Sequence, residues 1–224
     1  DELKSQISKD LPLEDFDTSW VRKYTYRPFQ DLKIYYKPSV LGRSREAVMK
    51  HFYQKNIGLI VSKQFGGHKH FICFSTKNIC DKSSQAFAPY YNHPLYLYPS
   101  TDQLSTDGEG KRPNLDEKLA KALAVAMGCD YVFDEARAWE HGKAGEVLPL
   151  DILDYTYAVL HSPAYREKYK EFLKIDFPRV PYCTDEGKFR ELVKLGAELR
   201  QIHLLEHPAL EQQRGNIGFP ISGS

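Results

Sequence analysis

The sequence has no long hydrophobic run. Its longest apolar stretch, from Ile57 to Val61, has only the length of one strand, whereas a helix that crosses a bilayer needs roughly 20 apolar residues. The chain also lacks a charged and then apolar leader at its start. We therefore expect a cytoplasmic protein that does not contact a membrane. Because the first residue is Asp1 rather than Met, we also expect a piece of a longer protein.

Cysteine is scarce and scattered. The chain has four cysteines, and none of them forms a C-x-x-C pair. In a chain of 224 residues, this usage favours buried thiols over a disulfide framework and indicates a reducing compartment. Two of the cysteines follow His68 and His70 in an H-x-H-x2-C-x6-C arrangement that matches no zinc pattern, so no metal site is expected.

Signatures of catalysis are missing as well. The glycines around Lys111 have neither the spacing of a phosphate-binding loop nor a Ser or Thr after the lysine. Paired acids such as Asp151 and Asp154 stand at helix starts, where the helix dipole favours them. No local motif supports nucleophilic chemistry by Cys183 or His161, although a small cytoplasmic hydrolase or nucleotide-modifying enzyme using them stays open as an alternative.

Positive charge is concentrated in one part of the chain. From Trp20 to Lys82 there are thirteen Lys and Arg against three acids, in a protein whose formal net charge is +1. Aromatic residues are interleaved with these cations, which is typical of a surface that faces nucleic acid. The plain alternative is a solvated basic face without a ligand. A protein–protein interaction module is a further alternative.

The pattern of residues predicts an α+β fold. We expect a linker or lead-in at 1–19, a β-rich subdomain at 20–110, a helical bracing subdomain at 111–207, and a tail at 208–224. The β-rich part should hold a helix that Ser44 caps and that runs to about Lys55, a buried strand at 59–61 and strands at 70–74 and 94–99. The helical part should hold helices that begin at Asn114, Leu150, Ser162 and about Asp185. The first of these should end at Gly128 and carry its apolar face on Leu115, Leu119, Leu123 and Met127.

Polar and basic side chains follow the predicted strands, where loops can enter a DNA groove. Lysine and arginine contact phosphates, while Asn, Gln, Lys and Ser also reach base edges. The expected base-reading residues are Lys63, Gln64, His68, Lys69, His70, Lys77, Asn78 and Lys82. The expected phosphate contacts are Arg22, Lys23, Arg43, Arg45 and Lys50.

An ordered set of short motifs carries a family resemblance. The motifs include Tyr26-Arg27-Pro28-Phe29, Asn56-Ile57-Gly58-Leu59, Pro94-Leu95-Tyr96-Leu97-Tyr98-Pro99, the stretch from Asp154 to Pro181, and Leu195-Gly196-x-Glu198-Leu199-Arg200. Together they resemble the C-terminal target-recognition region of type ISP and type IIG restriction-modification enzymes, which fuse an adenine-N6 DNA methyltransferase to a nuclease.

The resemblance implies a DNA-binding chain without catalysis of its own. The partners would be double-stranded DNA and the methyltransferase and nuclease domains of the same parent protein. S-adenosylmethionine would be the cofactor of the parent's methyltransferase domain, and this chain would hold none. The methyltransferase tetrad Asn/Asp-Pro-Pro-Tyr/Phe is indeed missing from the sequence.

Two departures from the family pattern are visible. Gln30 and Leu32 replace the Asp and Arg of the family's Arg-Pro-Phe-Asp-x-Arg motif. If that pair interacts in relatives, losing both partners leaves no orphan charge and the fold need not suffer. Relatives also tend to continue past the equivalent of Ile221, so we expect the chain to be cut short at its C-terminus.

Overall fold

The computed structural model describes residues 17–42, 44–63, 71–80, 90–99 and 110–213. Strands dominate up to Pro113 and helices dominate after it, which confirms the expected α+β class. Among the helices described, none is long and apolar enough to cross a bilayer.

Two three-stranded sheets lie in the N-terminal half. In the first, β1 (Val21–Arg27) pairs antiparallel with β2 (Gln30–Tyr35) through a Pro28-Phe29 turn. The second has β3 (Gly58–Ser62) at its centre, between β4 (Cys73–Thr76) and β6 (Tyr90–Pro94). The short β5 (Ile79–Cys80) follows β4 in the chain but pairs parallel with β1. It is therefore the third strand of the first sheet.

The short helix α1 (Glu46–Met49) differs from its prediction. Arg45, not Ser44, precedes it, and a 3-10 turn (Lys50–Phe52) replaces the expected continuation to about Lys55. The buried Asn56 side chain gives a reason for this early end. Its amide nitrogen donates to the carbonyl oxygens of His51 and Tyr96, and therefore fixes the chain in a non-helical path.

The strand predicted at 94–99 is in fact divided. Pro94 closes β6, and only Tyr96–Leu97 forms β7, which pairs with β8 (Arg112–Pro113). The side chain of Asn114 donates to Pro94 O at 2.9 Å, and it is therefore engaged with this region instead of capping the next helix. Asp116 caps α2 (Glu117–Val125) by accepting from Leu119 N.

The amphipathic face predicted for α2 is also shifted. Leu119 is exposed, whereas Ala120, Leu123 and Ala124 are buried. Gly128 ends this region in the left-handed conformation, as expected for a residue that follows a helix. The strands β9 (Asp130–Tyr131) and β10 (Glu146–Val147) then pair in parallel before the main helices.

Two long helices, α3 (Pro149–His161) and α6 (Glu186–His203), pack against each other. Ser162 caps α4 (Pro163–Lys168) and Pro163 occupies its first turn, both as predicted. The predicted third helix is broken at Tyr169, after which α5 (Lys170–Leu173) follows. A short α7 (Pro208–Gln213) lies where a loose tail was expected.

The largest hydrophobic core contains residues from both halves. Val61 and Cys73 of the second sheet pack in one cluster with Tyr157, Leu160 and Phe189 of α3 and α6. A smaller cluster around Ile60, Ile79 and Tyr90 joins the two sheets. The helices therefore brace the strands directly, and the C-terminal end of α6 lies beside the strands.

Candidate nucleic-acid interface

A cleft of about 150 Å³ lies between the β1–β2 hairpin, the turn that joins β4 to β5, and the C-terminal end of α6. The hairpin contributes Lys23, Thr25 and Asp31, among other residues. The β4–β5 turn contributes Lys77 and Asn78. The end of α6 and the residues after it contribute His203 to Glu206. Three segments that are far apart in sequence thus meet at one concave surface.

Aromatic side chains line one side of the cleft. The ring centroids of Phe29 and Phe74 lie 6.4 Å apart, and those of Phe29 and His203 lie 6.0 Å apart. Phe29 has a φ of 65°, in the left-handed region that bulky residues rarely adopt, because it occupies the tight turn of the hairpin. Its side chain remains 56% exposed, so a flat apolar face is available to a ligand at the rim.

The imidazole of His203 is held in this wall by the helical half. Its Nδ1 atom and the Tyr157 hydroxyl are hydrogen bonded at 2.6 Å. Burial lowers the pKa of His203 below its usual value, and the nearby positive charge of Arg166 lowers it further. At neutral pH the ring is therefore uncharged and acts as part of the aromatic wall.

A hydrogen-bonded polar group also lines the cleft. Thr25 Oγ1 donates to Asp31 Oδ1 at 2.9 Å, and Asn78 Nδ2 donates to Asp31 Oδ2 at 2.8 Å. The backbone N–H of Asn78 also donates to Thr76 Oγ1 at 3.1 Å. Because an ionised carboxylate can only accept, the atom of Asn78 that faces Asp31 must be its NH₂ group. The hairpin and the β4–β5 turn are thereby fixed relative to each other.

Three cations and two acids line the cleft. Lys23 and Arg27 are exposed, and the Arg27 guanidinium lies 5.0 Å from the ring centroid of Tyr26. Lys77 Nζ donates to both carboxylate oxygens of Glu206, at 2.6 and 2.5 Å. Both side chains of this pair remain about 40% exposed, so the attraction is screened by water and a competing anion can reach the ammonium group.

The cleft brings together three of the residues predicted to contact DNA. Lys77 and Asn78 were expected to read bases and Lys23 to contact phosphate. Lys63 is exposed at the end of β3 but does not line the cleft, and its Nζ lies 5.7 Å from the ring centroid of Phe177. The remaining predicted residues of this region, Gln64, His68, Lys69, His70, Lys82 and Arg43, lie outside the described residues.

The other three predicted phosphate contacts are placed elsewhere. Arg22 donates to Ser19 O, and its guanidinium lies 5.0 Å from the ring centroid of Tyr53, which gives it a bracing position within the fold. Arg45 is exposed before α1. Lys50 is half-buried in the 3-10 turn that follows. None of these three lines the cleft.

Several cleft residues were not anticipated from the sequence. Asp31 could have been noticed as one of only three acids in the basic stretch. Phe29 and Arg27 belong to one of the motifs that carry the family resemblance, and neither was among the residues expected to contact DNA. No sequence pattern indicated that His203 and Glu206 would line the cleft. They come from the C-terminal end of α6 and from the residues after it, in the helical half of the chain.

The alternative Cys/His site has local contacts instead. The Cys183 thiol donates to Asp185 O, and His161 Nδ1 donates to Tyr157 O at 2.8 Å. Burial is the main cause that lowers the pKa of His161 to about 4. Within the described part of the chain, no group of three or more His, Cys, Asp and Glu side chains could hold a metal ion. His68 and His70 lie outside that part.

Known proteins with this fold were found among solved structures. A DrdV–DNA complex has a TM-score of 0.66 at 22% identity, and the match covers 90% of this chain and 17% of that one. The ATP-dependent Type ISP restriction-modification enzyme LlaBIII, bound to DNA, has a TM-score of 0.63 at 20% identity, and the match covers 90% of this chain and 12% of that one. A nuclease-deletion mutant of the Type ISP restriction-modification enzyme LlaGI, in complex with a DNA substrate mimic, has a TM-score of 0.60 at 21% identity, and the match covers 90% of this chain and 15% of that one.

These similarities show a shared fold, and the chain spans less than a fifth of the length of each of those proteins. No curated protein matches it. The family described as "Type ISP C-terminal specificity domain" matches residues 1–221, nearly the whole chain. The chain therefore belongs to the Type ISP C-terminal specificity domain family.

Proposed function

We propose that this chain recognises a specific sequence in duplex DNA on behalf of a larger restriction-modification enzyme. The observation that carries the proposal is the convergence of Lys23, Lys77 and Asn78 on one cleft from separate elements. Cations supply affinity for phosphates, and amide groups supply contacts to base edges. Family membership supports the same function, since a specificity domain selects the site at which its enzyme acts.

We assign the proposed roles by the chemistry of each side chain and, for the described residues, by its exposure. Lys23 and Arg27, both exposed on the hairpin, contact phosphates. Lys77 and Asn78, on the turn between two strands, reach base edges. Lys63, Gln64, His68, Lys69, His70 and Lys82 remain proposed as base-reading residues, and Arg43 as a phosphate contact. Arg45 and Lys50 remain proposed as phosphate contacts, whereas the packing of Arg22 against Tyr53 favours a bracing role.

The proposal extends to the parent protein. Its methyltransferase domain would use S-adenosylmethionine to modify a target adenine, and its nuclease domain would cut DNA. Methylation of an adenine within a duplex requires the base to be flipped out of the stack. A domain that grips the neighbouring base pairs would hold the duplex in register during that step. We place the protein in the bacterial cytoplasm, where the DNA that it reads is found.

Fluorescence anisotropy with labelled duplexes tests the proposal directly. The chain should bind duplex DNA at low salt, with an affinity that falls steeply as salt rises. Lys23→Ala removes an exposed cation from the cleft and should reduce the slope of log K against log salt by about 0.9, the value for one phosphate contact. Lys188→Ala, which removes an exposed cation of α6 that does not line the cleft, is the matched control and should leave the slope unchanged.

Two results would contradict the proposal. One is an absence of binding to any duplex at low salt. The other is an equal loss of affinity for Lys23→Ala and Lys188→Ala, which would indicate nonspecific attraction by net charge instead of a localised interface.

A further inference from the structure

Asp31 is an acid in the middle of the proposed DNA-binding cleft. It lies on β2 directly opposite Thr25 of β1 and is exposed to solvent. A carboxylate in such a place is repelled by DNA phosphates. The Asp31 carboxylate therefore weakens binding to DNA of any sequence, and affinity for DNA does not explain its presence in the cleft.

The Asp31 carboxylate is held in a defined orientation from two sides. Thr25 Oγ1 donates to one of its oxygens and Asn78 Nδ2 donates to the other. An ionised carboxylate has about four acceptor sites, so these two bonds leave acceptor capacity on both oxygens. Because the donors come from different elements, the carboxylate is oriented before any ligand arrives, which lowers the entropic cost of forming a further hydrogen bond.

Asn78 adds a second acceptor next to the first. Its NH₂ group is engaged with Asp31 and, at 3.3 Å, with Thr25 Oγ1. No donor among the described residues contacts its amide oxygen, which is then the side-chain atom that remains for a ligand. The polar side of the cleft consequently offers hydrogen-bond acceptors, and its natural complement is a donor group.

We propose that Asp31 is a specificity-determining residue, whose carboxylate accepts a hydrogen bond from the exocyclic amino group of a cytosine in the major groove. This inference rests on the proposed function. In the major groove, guanine offers only acceptors and thymine offers an acceptor and a methyl group, so both are disfavoured beside a carboxylate. Adenine places its N7 acceptor next to its amino group, whereas cytosine offers the amino donor alone.

The experiment compares sequence preference between two variants that lose one negative charge each. Duplexes selected from a random library by the 224-residue chain define the preferred bases. Competition anisotropy then measures affinity for duplexes that differ at one position. The variants are Asp31→Asn, which keeps the shape of the side chain, and Glu46→Gln, which removes an exposed acid of α1 that does not line the cleft. Thermal melting by circular dichroism is recorded for both.

Asp31→Asn should weaken the preference for cytosine at one position by about tenfold, the scale of a single base mismatch, and leave the other positions unchanged. Glu46→Gln should retain the full preference. Equal preference in the two variants would overturn the inference. So would a lower melting temperature of Asp31→Asn with a uniform loss of affinity for all duplexes, because that result would make the carboxylate a brace of the hairpin.

The same experiment separates this inference from the proposed function. If the wild-type chain binds duplexes with steep salt dependence but without base preference, the role of Asp31 is refuted and DNA binding stands. If the wild-type chain binds no duplex, the proposed function itself fails, and the inference fails with it.

Discussion

Replacing Gly196 with alanine should destabilise the protein, because α3 and α6 touch at this glycine. A Cβ atom placed on Gly196 would lie only 1.9 Å from the backbone oxygen of Asp154. Normal contact between non-bonded heavy atoms requires about 3.5 Å, so α3 would have to move away from α6 by about 1.5 Å. The atom in the way belongs to a helix backbone, so no side-chain rotation can relieve the clash.

The expected change in the free energy of unfolding of Gly196→Ala combines opposing effects. Overpacking of a tight contact costs about 1–3 kcal/mol, and alanine regains about 1 kcal/mol of helix propensity over glycine. Separation of the helices would also stretch the two hydrogen bonds that Arg200, one turn later on α6, donates to the Asp154 carboxylate at 2.6 and 2.9 Å. We expect a net loss of about 2 kcal/mol, which lowers the melting temperature by about 4–8 °C in a domain of this size.

Gly187 provides a control on the same helix. A Cβ atom there would have only the Asp185 side-chain oxygen nearby, at 3.2 Å. Gly187→Ala should therefore leave the melting temperature unchanged or raise it slightly. Thermal and urea denaturation followed by circular dichroism measures both variants. A melting temperature of Gly196→Ala at or above that of the wild type would refute the reasoning, since it would show that α3 and α6 are not in contact at this position.

Two further predictions concern buried charge. Arg200→Met should reduce the free energy of unfolding by about 3–5 kcal/mol, because it leaves the completely buried Asp154 carboxylate without its main partner. Replacing both residues by apolar ones should reduce the free energy of unfolding by less. A larger loss in the double variant than in Arg200→Met would contradict this prediction. Acidification should also destabilise the protein, because burial lowers the pKa of His161 to about 4 in the folded state, while an unfolded histidine titrates near 6.5. Between these two values the unfolded chain binds the extra proton, so urea midpoints should fall as pH decreases from about 6.5 to 4, and His161→Gln should flatten that dependence. A dependence equally steep in His161→Gln would assign the effect to other buried histidines.

The motifs that carry the family resemblance proved to contain much of the buried framework. Asn56 satisfies four backbone groups with its amide, and Gly58 lies against the Phe52 ring. Asp154, Gly196 and Arg200 lie in the contact between α3 and α6. Close packing of this kind restricts the residue type at each position, and a restricted type leaves a pattern that sequence reasoning can use. The class of the fold was predictable for this reason.

The cleft was predictable only in part. The basic stretch does contain the hairpin and the β4–β5 turn that line the cleft, but charge alone could not separate Arg22 from Lys23. Neighbouring residues on a strand point to opposite faces, and here Arg22 faces Tyr53 whereas Lys23 lines the cleft. Which face meets a ligand depends on how the sheet packs. The contribution of Glu206 depends on the path of the chain through the whole helical half.

The distance along the chain between the walls of the cleft has a consequence for folding. Asn78 and Thr25 are 53 positions apart, and Lys77 and Glu206 are 129 positions apart. Contacts across such separations form only after the intervening loops have closed at an entropic cost. A chain that is still being synthesised therefore has no complete cleft until its last long helix has docked. A duplex that binds across these walls binds only the folded chain. It would therefore stabilise the whole domain, by about 2.7 kcal/mol when the free duplex concentration is one hundred times Kd.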